Sequence, residues 1–102
     1  MAKYIYLYSG GQMADTPEAQ EAAMQAWGAW FATLGDAVTD MGNPFAASVT
    51  VDTAGTHEHG ASKLGGYTLV TADSLDQAAA GVAGCPVLQS GGSVEVYEAL
   101  PM

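Results

Sequence analysis

The chain has 102 residues, enough for one domain with its own core over residues 1–102 and too few for two. Eleven carboxylates face two lysines, Lys3 and Lys63, and no arginine, for a formal charge of −9. Such a surface repels phosphate backbones and anionic lipid, so neither nucleic acid nor membrane is expected as a partner.

The longest apolar run, around residues 27–34, falls short of the roughly 20 residues that span a bilayer. The opening residues carry no basic-then-apolar leader with a cleavage site, and the single cysteine, Cys85, agrees with a reducing compartment. The expectation is a soluble, cytoplasmic protein.

In chain order, KYIYLYSGG at residues 3–11 alternates tyrosine with aliphatic residues and predicts a strand that ends at Ser9 and two glycines. A helix follows, with Thr16 as its cap, Pro17 in its first turn and Glu18 at the positive end of its dipole. Ala19, Ala23, Trp27, Trp30, Leu34, Val38 and Met41 recur at spacings of three and four. That stripe predicts a helix of roughly 24 residues that stops at Gly42. Gly28 and Gly35 within it predict a close backbone approach, since each costs about 1 kcal/mol of helix propensity.

A second strand is expected over residues 45–51, a long polar loop over 52–65 and a third strand over 66–72. Ser74 and Gln77 form a capping box that opens a short helix reaching about Val82. Residues 86–92 read as a connection and 94–98 as the last strand. The order β-α-β-β-α-β specifies an α+β, ferredoxin-like domain with both helices on one face of a four-stranded antiparallel sheet.

That order raises the question of what covers the sheet's other face. If Ile5 and Leu7 pack under the helices, Tyr4, Tyr6 and Tyr8 project from the opposite side, a larger apolar patch than soluble monomers usually carry. Tyr67, Leu69 and Thr71 alternate with Thr68, Val70 and Ala72, so the third strand is also nonpolar on both sides. The expected partner is a second copy, with the two sheets facing each other.

Five segments in order, GAWFATLGDAV with MGNPF, KLGGYTLVTADSLDQAA, GCPVL and GGSVEVYEALPM, resemble the YCII-related family over residues 4–102. Gly42, Asn43, Pro44 and Phe45 are an imperfect match to the DGPF tetrapeptide that names one of its branches. The resemblance implies a dimeric α+β barrel, two ferredoxin-like subunits with their open sheet faces together, and a biochemical role that is largely unassigned. It also implies an acid/base pair, a histidine on the first helix with an aspartate before a proline. Here the first helix has no histidine and Cys85 precedes Pro86, so that pair is not carried over.

The candidate chemistry is sparse. His57 and His59 flank Glu58 at a spacing that could grip a metal, but only distant Asp52 or Cys85 could complete the set, and no metal is expected. Either histidine suits a general base, with Tyr6 or Tyr8 as its proton-transfer partner. Cys85 reads as a buried, inert thiol. Tyr4, Tyr6, Tyr8 and Tyr67 either fill the dimer interface or wall a cavity, to which Trp27 could contribute and where Lys63 could hold an anionic group. Two functions stay open: a homodimer that binds a small, partly aromatic or apolar molecule between sheet and helix, and a cofactor-free oxygenase, isomerase or hydrolase using tyrosine and histidine. Neither calls for a cofactor.

Overall fold

The computed structural model describes residues 1–11 and 14–101; Met102, the end of the last matching segment, lies outside them. In chain order the elements are β1 (Ala2–Ser9), α1 (Pro17–Leu34), a 3-10 turn (Gly35–Ala37), β2 (Val38–Asp40), β3 (Val49–Asp52), β4 (Gly55–Glu58), β5 (Leu64–Ala72), α2 (Leu75–Ala80), α3 (Pro86–Gln89) and β6 (Ser93–Ala99). Four strands form the main sheet in the order β2-β5-β1-β6, each neighbouring pair antiparallel. The ferredoxin-like order is therefore present, with α3 and a separate β3–β4 hairpin added in the connections. No helix among the described residues is long and apolar enough to cross a membrane.

Helix α1 starts as its sequence requires, the Thr16 hydroxyl accepting from the Ala19 amide at 3.1 Å and Pro17 in the first turn. Its end differs from the expected one. Gly35, at φ 57° and ψ −130°, closes the helix by donating to the Phe31 carbonyl, a conformation open mainly to glycine. Val38 thus lies in a strand opposite Val70, and Met41, 62 % exposed, lies beyond it. The close approach expected at Gly28 is not found, for no described atom comes within 4 Å of where its Cβ would stand. Gly35 is explained by its backbone angles instead.

The strand expected over residues 45–51 is also redistributed. Beside β5 the chain runs as β2, and Pro44 makes a single bridge to Gly66. Residues 49–52 turn away into the hairpin, whose second strand occupies part of the expected loop.

The largest correction concerns which way β1 faces. Tyr4, Tyr6 and Tyr8 are the buried residues, packed under the helices with Trp30, Val70, Ala78 and Cys85, while Ile5 and Leu7 lie half-buried on the other side. The physical reason is charge and phase. Lys3 and Ser9 share their side of the strand with Ile5 and Leu7, and an unpaired ammonium is not buried under helices. Paired strands agree, since Glu95 and Tyr97 stand opposite Leu7 and Ile5 whereas Val94 and Val96 stand opposite Tyr8 and Tyr6.

Candidate functional site

The residues with chemical potential fall into three separate places: the space between sheet and helices, the hairpin, and the open sheet face. Under the helices the phenols of Tyr6 and Tyr8 and the indole of Trp30 each have a hydrogen-bond partner. Tyr6 donates its hydroxyl to the Ala78 carbonyl at 2.5 Å, and Trp30 donates its indole N–H to Gly81 at 3.0 Å. Tyr8 donates to the Thr68 hydroxyl at 2.7 Å, which in turn donates to the Met41 carbonyl at 2.9 Å. Among the described residues no buried side-chain oxygen or nitrogen lacks a partner.

These hydroxyls are poor acids. Burial pushes the Tyr8 phenol far above the ordinary tyrosine range, the Thr68 hydrogen bond offsetting only part of it. Burial raises Tyr6 as well, with Cys85 nearby adding to it. The Cys85 thiol, fully buried just before α3, is likewise pushed up, and the amides of Val87 and Leu88 only partly offset the effect. Tyr8, Trp27, Trp30 and Phe31 join in edge-on and tilted contacts with centroids between 5.1 and 6.3 Å apart, the geometry of a packed aromatic core.

One opening leads into this layer. A cavity of about 310 Å³ lies between the end of α1, the strands and α2, at the small end of the roughly 300–1,000 Å³ usual for ligand sites. Tyr6, Leu34, Val70 and Ala78 give it apolar walls, and Thr33, Asp36, Thr71 and Gln77 are the polar residues of its lining. Gly81 matters here, because a Cβ at that position would stand 2.8 Å from the Tyr6 hydroxyl and 3.2 Å from Leu34. Of the residues proposed from sequence for catalysis or ligand binding, only Tyr6 lines this cavity. Asp36 and Gln77 were hidden, Asp36 by a helix drawn seven residues too long and Gln77 by its capping role, in which its side chain accepts from Asp73.

The histidines stand elsewhere. His57 and His59 are exposed on and beside β4, in the sheet that is separate from the one carrying Tyr6. His57 meets Asp52 across the hairpin at 3.2 Å, with both side chains about half exposed. Among the described residues no three histidine, cysteine, aspartate or glutamate side chains cluster in a way that could hold a metal. Lys63 is exposed in the approach to β5, and both it and His59 hold positive φ, at 54° and 66°.

The GNPF segment has a structural explanation. Asp40 accepts from the Gly42 amide at 2.8 Å, and Gly42, at φ 75°, passes so close to β5 that a Cβ would fall 1.7 Å from the Tyr67 carbonyl oxygen. Asn43 accepts from Tyr67 and Phe45 donates to Gly65 at 2.8 Å, while the Phe45 ring stacks on Tyr67 with centroids 5.8 Å apart. The open space at Gly66 is used by the chain's own strap, since a Cβ there would meet the Asn43 carbonyl at 3.0 Å.

The open face carries Ile5, Leu7, Tyr67, Leu69 and Tyr97, with Lys3 and Glu95 toward its margins. It is as apolar as the sequence suggests, although on β1 the residues are the other half of the strand, while Tyr67 lies on the open side as expected. A family model for the YCII-related domain matches residues 4–102. Neither the curated proteins nor the solved structures give a match.

Proposed function

From the premise that the chain belongs to the YCII-related domain family, we propose that it works as a homodimer that binds a small, largely apolar molecule between sheet and helices. The cavity of about 310 Å³ carries this reading. It brings apolar walls together with Tyr6 and the polar residues Thr33, Asp36, Thr71 and Gln77, and it calls for no cofactor. Dimerisation through the open face is supported by five large nonpolar side chains on one sheet surface. The charge of −9 favours work in solution, in the cytoplasm, away from nucleic acid and anionic membrane.

The rival reading, a cofactor-free enzyme pairing Tyr6 or Tyr8 with His57 or His59, has less support. Both phenols are buried and engaged with Ala78 and Thr68, whereas the imidazoles are exposed on the hairpin. Nor do Tyr4, Tyr8 and Trp27, packed on the covered face, or Tyr67 and Lys63, outside it, converge with Tyr6 on one pocket.

Thermal-shift screening against small apolar metabolites tests the cavity. A ligand should raise the melting temperature of the native chain and lose that effect in Ala37→Phe, which fills the cavity from its lining. Equal shifts in both proteins would place binding elsewhere and overturn the assignment. Native mass spectrometry tests the dimer, which Leu69→Glu on the open face should convert to monomer.

A further inference from the structure

Among the described residues the β3–β4 hairpin is the least covered part of the fold. Every residue of β4 is exposed, and in β3 only Thr50 is partly shielded. Val49 and Val51, on one side of β3, are 61 % and 69 % exposed. A two-stranded ribbon alone in water is marginal at best.

Its base is nonetheless well fastened. The His59 amide donates to the Ser48 carbonyl at 3.0 Å, Gly60 to the Ser48 hydroxyl at 2.7 Å and Ala61 to the Thr50 hydroxyl at 2.7 Å. The stacking of Phe45 on Tyr67 also launches the hairpin from the rim of the open face, because Tyr67 pairs with Leu7 on that side. Projecting parts give the molecule extents of 43 × 42 × 19 Å and a radius of gyration of 14.8 Å; a compact chain of this length has about 13 Å.

Area identifies the occupant. With strands about 4.8 Å apart that rise about 3.4 Å per residue, β1, β5 and β6 of 8, 9 and 7 residues and the three residues of β2 present a face of roughly 440 Å². A standard dimer takes about 800 Å² from each partner. If each copy laid its hairpin on the other, each would bury one side of its own two four-residue strands and the surface beneath its partner's, together about 260 Å². Face and hairpins combined, roughly 700 Å², enter the standard range of about 600–1,000 Å² per partner that the face alone falls short of.

We propose that the β3–β4 hairpin is an arm that embraces a second copy of this chain, with Val49 and Val51 as its apolar contacts. This rests on the face-to-face dimer proposed above, and the test separates the two. The dimer dissociation constant is measured by sedimentation or by native mass spectrometry on dilution, for the unaltered chain and for the Val49→Ser, Val51→Ser double variant. Loss of four valine contacts per dimer should raise the constant by about 100-fold or more.

A dissociation constant unchanged in the double variant overturns the arm and leaves the face-to-face dimer standing. A monomeric unaltered chain at micromolar concentration overturns both. If the variant loses the hairpin's own structure, hydrogen exchange on the unaltered chain decides. Hairpin amides should exchange at least tenfold more slowly in the dimer than in the diluted monomer, roughly the protection of a burial worth one valine, and equal rates overturn the arm.

Discussion

The two faces of the main sheet are built from alternate residues of the same strands, yet they solve different problems. Beneath the helices, Tyr4, Tyr6 and Tyr8 are at most 8 % exposed, and the hydroxyls of Tyr6 and Tyr8 are anchored on Ala78 and Thr68. On the other side Ile5, Leu7 and Leu69 are only half-covered and share their surface with Lys3 and Glu95. Tyrosine is therefore the inward residue of β1 because its ring fills space against Trp30 while its tip finds a carbonyl. The outward residues of β1, Ile5 and Leu7, are aliphatic and leave no polar tip to be satisfied on that side.

Removing an aromatic ring from each face gives the largest contrast. Trp30→Ala should cost about 4 kcal/mol in chemical denaturation, through lost packing and a stranded Gly81 carbonyl. Tyr67→Ala, on the open side, should cost the monomer no more than about 1 kcal/mol. Similar values would erase the distinction. Next in size, Gly42→Ala should destabilise by about 2–3 kcal/mol, since both its positive φ and the Tyr67 carbonyl oppose a side chain.

Smaller again is Tyr8→Phe, expected to lose about 1 kcal/mol with the Thr68 hydrogen bond. The same phenol sharpens the contrast through pH. Burial raises the folded pKa values of Tyr6 and Tyr8 above their unfolded value of 10.0, so the stability they contribute is complete below that pH and is lost as pH rises beyond it. Alkaline unfolding, followed by tyrosinate absorbance and circular dichroism together, should set in above pH 10, and more gradually in a Tyr6→Phe, Tyr8→Phe variant. The smallest effect is a gain. Gly28→Ala should raise stability by up to about 1 kcal/mol, because the site is helical and has no close described neighbour.

Three of the four main-sheet strands were legible because their elements announce themselves locally: the alternation of β1 and β5, the Thr16 and Ser74 caps, the terminal run of β6; β2 was not, because Val38 continues the helical stripe. Facing was misread because tyrosine and isoleucine have similar claims to a core. The deciding signal, Lys3 in phase with Ile5 and Leu7, was present but belongs to pairing geometry rather than hydropathy. The cavity was out of reach for another reason. It exists because α1 stops at Gly35, and a helical stripe that continues through Val38 and Met41 conceals that stop. The hairpin's first strand falls at the end of the strand expected over 45–51, but its second was read as loop because it is short and polar, with residues such as Thr56 and His57 that carry no buried face.

The brevity of β2 has one more effect. Three residues after it begins, the strand gives way to the strap through Asn43 and Pro44, so this margin of the sheet offers almost no ladder for a foreign chain to extend. The opposite margin, β6, is longer but carries Glu95 and Glu98. Two molecules meeting there side by side would bring carboxylates together, which guards the fold against open-ended fibre growth.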